Sequence, residues 1–288
     1  MKRATLLALL LHALFTMSIQ AGDAGTGESF KGPLGLQLYS LRAEFASAGV
    51  EATLDKVKAW GIKYVELAGT YNMPAATFKG LLDARGLVAV SGHYPYKRFK
   101  SEPAVVAKEA KELGLKYAGV ACVDHKDPWD EAQVRDTIEV FNKAGEALAN
   151  EGIIFFDHLH GYEFQPYGGG TLADMLISQT NKNTVFFQMD VLWIVFPGQD
   201  PVQLLNKYGN RWVSMHLKDL RKGVATGVLT GGTDVKNDVV LGTGQMDWPK
   251  ILAAAKNAGL KYYFIEDESP DSVTQIPQTL KFLETVKF

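Results

Sequence analysis

Short runs of apolar, β-branched and aromatic residues recur eight times along the chain, and a stretch with helical periodicity follows each run. The runs occupy residues 34–41, 63–68, 87–91, 117–123, 153–157, 185–190, 212–216 and 262–266. Each run is apolar almost throughout rather than alternately apolar and polar. Such runs are typical of strands that are covered on both faces, so the pattern predicts eight buried strands.

The intervening segments predict helices, which we expect at residues 50–60, 75–84, 103–113, 131–150, 171–180, 201–208, 249–258 and 272–286. Five of these helices are followed by a glycine, the residue that most often ends a helix: Gly61, Gly86, Gly114, Gly152 and Gly259. Each glycine lies only a few residues before the next strand, which favours parallel strands joined by right-handed crossovers. Eight such units predict an α/β fold, a single (β/α)₈ TIM barrel, rather than an open doubly wound sheet.

Two segments are longer than this repeat requires. Residues 221–246 are rich in glycine, and residues 161–170 end in three consecutive glycines. Both follow predicted strands and therefore fall on the catalytic face of a barrel. Loops of this length act as lids or are disordered, and for residues 221–246 the sequence favours neither.

The N-terminus has the organisation of a secretory signal peptide. Basic residues 2–3 precede an apolar run over residues 4–15, and small and polar residues continue to Ala21. The run is shorter than the roughly 20 apolar residues of a transmembrane helix. We therefore expect a signal peptide over 1–21, a short extension over 22–33, a barrel over 34–288, and a secreted protein of the bacterial periplasm without a membrane span in its mature form.

Composition narrows the range of partners. The formal net charge of the 288 residues is −2, with 30 basic and 32 acidic residues mixed along the chain. No basic surface for nucleic acid is predicted, so we expect a small-molecule ligand, and the chain could also form a homo-oligomer. The single cysteine, Cys122, lies in an apolar run and is expected to pack in the core.

Candidate chemistry is concentrated where the last four predicted strands end. The polar residues at these ends are Asp157, His158, His160, Asp190, His216, Lys218 and Glu266. Any one of them could be a capping carboxylate or a hydrogen-bonded core histidine. Four such ends around one barrel mouth instead favour a divalent cation, because buried charges need compensation. Mixed oxygen and imidazole donors suit Mn²⁺, Zn²⁺, Co²⁺ or Fe²⁺ better than Ca²⁺, and Mg²⁺ also stays open.

These residues lie within a series of motifs that resembles the xylose isomerase-like barrels known as sugar phosphate isomerases/epimerases. The motifs are LQLYSLR at 36–42, YVELAG at 64–69, DVLW at 190–193, GQDP at 198–201, HLKD at 216–219, LGTG at 241–244 and IED at 265–267. Each motif is modest alone, but their order is specific and covers nearly the whole barrel.

The resemblance implies one metal ion, Mn²⁺ in the first place, held by position 158, Asp190, His216 and Glu266. Epimerases of the family carry a carboxylate at position 158, where this chain has a histidine. The segment DHLHGYEF at 157–164 is similar to a branch with the pattern Tyr-His-Asn-His-x-x-Glu-Phe. Strand alternation puts His158 and His160 on one side, so either could bind the metal, and we favour His158.

The resulting hypothesis is an isomerase or epimerase that acts on a sugar or keto-sugar through an enediolate. Glu266 or His160 would move the proton, and Lys218 would neutralise charge on a substrate oxygen. The residues expected to bind a carbohydrate are Tyr39, Glu66, His93, Glu163 and Trp193, although a buried ion pair would equally explain Glu66.

Two other functions stay open. A metal-dependent lyase or hydratase would cleave an oxidised (3-keto) glycoside by β-elimination, which His158 and export both favour. An exported, non-catalytic sugar-binding barrel is the other alternative, although Asp190, His216 and Glu266 are all retained.

Overall fold

The computed structural model describes residues 33–288, in which eight parallel strands close a barrel. The predicted TIM barrel is confirmed. The strands are β1 (Leu34–Gln37), β2 (Tyr64–Leu67), β3 (Val88–Tyr94), β4 (Tyr117–Val120), β5 (Ile154–His158), β6 (Val185–Asp190), β7 (Trp212–Leu217) and β8 (Tyr262–Ile265). Each pairs with its sequence neighbours, and β1 closes the barrel against β8. The expected signal peptide (1–21) and most of the extension (22–33) lie outside the described residues.

Eleven helices surround the barrel in the described part of the chain. They are α1 (Arg42–Ser47), α2 (Val50–Ala59), α3 (Ala75–Asp83), α4 (Tyr96–Ser101), α5 (Pro103–Glu112), α6 (Glu131–Ala149), α7 (Leu172–Gln179), α8 (Val191–Val195), α9 (Pro201–Tyr208), α10 (Trp248–Ala258) and α11 (Ser272–Thr285). All eight predicted helices are present. The short helices α1, α4 and α8 were not predicted, because five or six residues are too few to establish a period. The five glycines predicted to end helices all have φ between 70° and 79°.

Three strand ends differ from the sequence-based prediction. β1 stops at Gln37, whose side chain accepts a hydrogen bond from the Tyr39 amide and begins a 3₁₀ turn. β3 continues to Tyr94, so His93 lies within the strand. β4 ends at Val120, which places Cys122 beyond the strand. The prediction that Cys122 packs in the core is therefore wrong, since its side chain is exposed at the barrel mouth.

The barrel interior is apolar at its amino-terminal end. The buried side chains there are Val90, Tyr117, Phe156, Val213, Tyr262 and Phe264. Gly119 of β4 permits this packing, because a β-carbon there would overlap the carbonyl oxygen and ring of Phe156. The polar interior residues therefore lie at the opposite, carboxyl-terminal end. No helix within residues 33–288 has the length and apolarity required to cross a bilayer.

The long segment 221–246 is folded across the barrel mouth. Residues Asp219–Leu220 form an antiparallel ribbon with Asp238–Val239. The amides of Gly227 and Val228 both donate to the carbonyl of Phe196, at 2.8 and 3.2 Å. The other long segment, 161–170, contains a 3₁₀ turn and a two-stranded ribbon. Both segments therefore have local structure, and the first covers the region where strands β5 to β8 end.

Candidate metal centre

Four side chains converge at the carboxyl ends of the last four barrel strands. His158 ends β5, Asp190 ends β6, His216 is the next-to-last residue of β7, and Glu266 follows β8. One ligand atom of each lies within 4.8 Å of the others, and all four residues are buried. The register explains the convergence, because Asp190 is paired directly with His216 across β6 and β7.

The backbone orients the imidazole of His158. Its Nδ1 lies 3.1 Å from the carbonyl oxygen of Ala121, which can only accept, so Nδ1 carries the proton. Nε2 is consequently left with a lone pair that faces the cluster. It is buried, has no hydrogen-bond partner, and lies 3.5 Å from Oδ2 of Asp190.

Glu66 orients the second imidazole, that of His216. The Glu66 carboxylate accepts from His216 Nε2 at 2.5 Å and also from Ser91, Gln37 and Gln188. Burial would raise the pKa of Glu66, but His93 and His216 lower it to about 2, so it stays ionised. With Nε2 directed at Glu66, Nδ1 of His216 faces Glu266 at 3.1 Å and Asp190 at 3.6 Å. A carboxylate behind a ligating histidine is a frequent arrangement in metalloproteins.

One carboxylate oxygen of Asp190 accepts hydrogen bonds, and the other has no hydrogen-bond partner. Oδ1 accepts from the amides of Leu192 and Trp193 at 2.9 and 3.3 Å, which caps helix α8. Oδ2 is buried without a hydrogen-bond partner and points at the two imidazoles. Donor atoms that lie about 2.1 Å from one ion in a tetrahedral arrangement are about 3.4 Å apart, close to the separations observed here. The donor set therefore fits a divalent cation.

Lys218 holds the carboxylates beside this cluster. Its Nζ lies 3.2 Å from Glu266, 2.5 Å from Glu268, and 3.8 Å from both Asp190 and Asp238. Burial would lower the pKa of Lys218, but Glu266 and the other three carboxylates raise it well above its ordinary value. Burial likewise opposes a charge on His216, yet Glu266 and Glu66 raise its pKa. The carboxylates thus outnumber the cationic side chains, and a divalent ion would balance them.

A second group of potential ligand atoms belongs to Glu66, His93 and His216. The Glu66 oxygens are already occupied by hydrogen bonds, and His93 Nε2 lies 2.9 Å from Oε1 of Gln188. We therefore assign this group to the hydrogen-bond network beneath the four-residue candidate metal site.

A mouth cavity of about 490 Å³ opens above the cluster. Six of the sequence-predicted site residues line it: Tyr39, His93, His158, His160, Trp193 and Glu266. The His160 ring lies 4.6 Å from that of His158 and 5.2 Å from Trp193, measured between centroids. His158 rather than His160 belongs to the four-residue cluster, whereas His160 lines the cavity.

Three predicted site residues lie behind the wall of the mouth cavity. Glu66 and Glu163 are completely buried, and Lys218 is 1% exposed. Glu163 accepts a hydrogen bond from the amide of His160 at 2.9 Å, so it supports the turn after β5. All three side chains contact other site residues, and their predicted roles towards a substrate stay predictions.

Sequence reasoning missed several residues of the site. Gln37 and Gln188 form the network below Glu66, while Asp238 and Glu268 line the mouth cavity beside Lys218. The glutamines could have been noticed as polar residues inside apolar strands. Asp238 lies in a polar loop, where nothing in the local sequence distinguishes it.

Comparisons with known proteins agree with this architecture. A family model described as a xylose isomerase-like TIM barrel matches residues 54–286. The chain is 25% identical to the inosose dehydratase of Clostridium botulinum (strain Alaska E43 / Type E3) over 256 residues, which are 77% of this chain and 83% of that enzyme. It is also 25% identical to the inosose dehydratase of Clostridium beijerinckii over 198 residues, 60% of this chain and 64% of that enzyme's length.

Solved structures give the same assignment. A sugar phosphate isomerase/epimerase from Parabacteroides distasonis superposes with a TM-score of 0.74 at 25% identity, over 88% of this chain and 99% of that one. The IolI protein with a bound zinc atom gives a TM-score of 0.68 at 15% identity, over 87% of this chain and 96% of that one. The second likeness concerns the fold alone. From the fold and the extent of the family match, this chain belongs to the xylose isomerase-like TIM-barrel family.

Proposed function

We propose that this protein is a divalent-metal-dependent lyase that eliminates a β-substituent from a keto-sugar or keto-polyol. His158, Asp190, His216 and Glu266 hold the ion, for which Mn²⁺ is our first choice and Zn²⁺, Co²⁺, Fe²⁺ and Mg²⁺ are alternatives. Bound there, the ion would act as a Lewis acid and stabilise negative charge on a substrate oxygen. The substrate is a small carbohydrate that enters the mouth cavity.

The distribution of charge in the mouth cavity carries this proposal. The carboxylates that line it, Asp238, Glu266 and Glu268, all lie within 3.8 Å of Lys218. The wall around β3 and β5 instead presents imidazoles, those of His93, His158 and His160. A two-carboxylate epimerase needs a second carboxylate on that side, whereas an elimination needs one group that moves a proton.

His160 is the group that we assign to proton transfer. It lines the mouth cavity, and its buried Nδ1 has no hydrogen-bond partner, so a ring nitrogen is available for a proton. His93 is less suited, because its Nε2 is engaged by Gln188. Glu266 is less suited as well, since its carboxylate is shared between His216 and Lys218.

The proposed reaction conserves protons and electrons. His160 removes the proton from the carbon next to the carbonyl, and the C–H electron pair forms a C=C bond while the carbonyl pair moves to oxygen. The carbonyl then re-forms, the double bond shifts towards the β-carbon, and the β C–O bond breaks with its electron pair on the departing oxygen. His160 returns the proton to that oxygen, which leaves as water or an alcohol.

The relatives support the same reaction class. Both curated relatives described above are named inosose dehydratases, which implies loss of water from a keto-polyol. A solved structure with the same fold, that of the IolI protein, contains a bound zinc atom.

A direct assay tests the proposal. Protein loaded with Mn²⁺ would be incubated with an inosose and with a methyl 3-keto-glucoside. We expect an unsaturated ketone together with water or methanol, and no such product from Asp190→Ala protein. Recovery of both substrates unchanged, with metal bound, would contradict the lyase proposal and favour a sugar-binding barrel.

An isomerase or epimerase is the second candidate. The observation in its favour is the 25% identity with the P. distasonis sugar phosphate isomerase/epimerase over nearly its whole length. His160 could return the proton to carbon instead of oxygen. An epimer or aldose–ketose isomer as product of the same assay would select this function.

We also propose that the protein is exported to the periplasm, on the basis of residues 1–21. The amino-terminal sequence of the mature protein should then begin at Gly22. Retention of Met1 in the protein isolated from its native host would contradict export by cleavage.

A further inference from the structure

A second cavity, of about 600 Å³, adjoins the mouth cavity. It lies between the loop that follows β2, the end of β3 and helix α5, and we name it the side cavity. The two cavities share four lining residues: Ala68, His93, Tyr94 and Pro95. Its volume is within the range of about 300–1,000 Å³ of pockets that bind organic molecules.

The wall of the side cavity is largely apolar. Its apolar residues outside the shared set are Leu67, Met73, Pro74, Ala75, Leu113 and Leu115. Gly69 and Gly92 add stretches of bare backbone. Such a wall favours an aromatic or aliphatic group over a second sugar, because it offers contact area rather than hydrogen bonds.

Arg98 and Thr70, two polar residues of this wall, already have hydrogen-bond partners. Arg98 donates to Glu102 at 2.5 Å and to both oxygens of Glu109 at 2.7 and 2.9 Å. Thr70 donates to the carbonyl of Met73 at 2.7 Å. The wall contains two carboxylates, Glu109 and Glu112, and one guanidinium, so the side cavity disfavours a phosphate or another anion.

His93 lines both cavities. Its ring centroid lies 5.4 Å from that of His158 and 5.7 Å from that of His216. These distances place the shared wall within reach of a molecule bound at the candidate metal centre.

We infer that the side cavity binds the aglycone of an oxidised glycoside, an uncharged aromatic or aliphatic alcohol, while the 3-keto sugar occupies the metal centre. This inference rests on the proposed elimination, since the aglycone is then the departing group. Its oxygen lies near the shared wall, and its carbon skeleton fills the apolar space beyond.

Two neighbouring alanines of α3 provide a matched test. Ala75 lines the side cavity, whereas Ala76 is exposed and does not. Ala75→Trp should raise KM for a phenyl 3-keto-glucoside about tenfold and leave kcat/KM for the methyl 3-keto-glucoside within about twofold. Ala76→Trp should change neither. Circular-dichroism melts and metal content would check that both variants fold.

Binding measurements separate this inference from the proposed function. Calorimetry with unoxidised phenyl and methyl glucosides, in the presence of Mn²⁺, needs no turnover. Tighter binding of the phenyl compound that Ala75→Trp removes and Ala76→Trp retains would support the side cavity even if no elimination occurred. Equal effects of Ala75→Trp on the phenyl and methyl compounds, or no effect on either, would overturn the inference even if elimination were observed. Absence of both binding and turnover would overturn both.

Discussion

At the scale of single residues, two histidines separated by one position face different surroundings. His158 Nδ1 contacts the carbonyl of Ala121, and Nε2 has no hydrogen-bond partner and faces the candidate metal site. His160 lies outside that cluster and beside Trp193. We therefore propose different roles for the two imidazoles, and mutation should separate them.

His158→Ala should lose both metal and activity, whereas His160→Ala should retain about one ion per chain and lose turnover by a factor of about 10²–10⁴, as expected for a proton-transfer group. Elemental analysis after gel filtration and initial rates would measure the two effects. Metal loss in His160→Ala with metal retained in His158→Ala would exchange the two assignments.

Glu66→Gln should weaken metal binding by about 10–100-fold, the usual effect of removing a partner behind a ligating histidine. The physical reason is that Glu66 holds the Nε2 proton of His216 and so keeps Nδ1 directed at the centre. Competition with a metal-sensitive dye would give the affinity. Glu284→Gln, on the exposed face of α11, is the control and should bind metal as the wild type does.

At the scale of elements, the close approach of β4 and β5 depends on Gly119. Gly119→Ala should destabilise the protein by roughly 1–3 kcal/mol, because the new methyl group overlaps Phe156. Gly80→Ala is the matched control. Gly80 lies within α3 with no neighbour near a built β-carbon, and this change should stabilise by about 0.4–1 kcal/mol. Urea unfolding would measure both, and equal stability of the two variants would contradict the packing argument.

The ribbon that carries Asp238 makes stability depend on pH in metal-free protein. Burial raises the pKa of Asp238 to about 7, although Lys218 partly opposes this. A carboxyl group whose pKa is raised on folding binds its proton more tightly in the native state. Protonated Asp238 therefore stabilises the native state at low pH. This contribution to the free energy of unfolding is lost as the pH rises through about 7.

Asp238→Asn should remove this loss, which is of the order of a few kcal/mol. The amide side chain can still accept the hydrogen bond from the Glu268 amide. Urea unfolding of chelator-treated protein at pH 5 and pH 8 would compare the two proteins. An identical pH dependence in wild type and Asp238→Asn would exclude Asp238 as its source.

At the scale of the whole molecule, metal binding and stability should be coupled. The candidate ligands come from four consecutive strands, so an ion binds the closed barrel better than the unfolded chain. Free Mn²⁺ at about 100 times its Kd should add about 2.7 kcal/mol of stability. Thermal melts after chelation and after addition of Mn²⁺ would test this, with Asp190→Ala as the protein that should not respond.

Much of the barrel could be predicted from sequence because its signals are local. An apolar run, a helical period and a terminal glycine occur within one repeat, and the repetition itself indicates closure. The four candidate ligands could also be found, because each stands at the end of such a run. The ends of β3 and β4 could not be predicted from the sequence, because pairing with the neighbouring strands decides where each strand ends.

The sequence by itself therefore determined the architecture, the face that carries the candidate site and the residues that could hold an ion. Only the tertiary structure decided that Glu66 lies beneath His216, that Asp238 reaches Lys218 and that Cys122 opens onto the mouth cavity. The physical reason is distance along the chain. Glu66 and His216 are 150 residues apart, and their contact exists only because barrel closure and strand register bring both side chains into one buried interior.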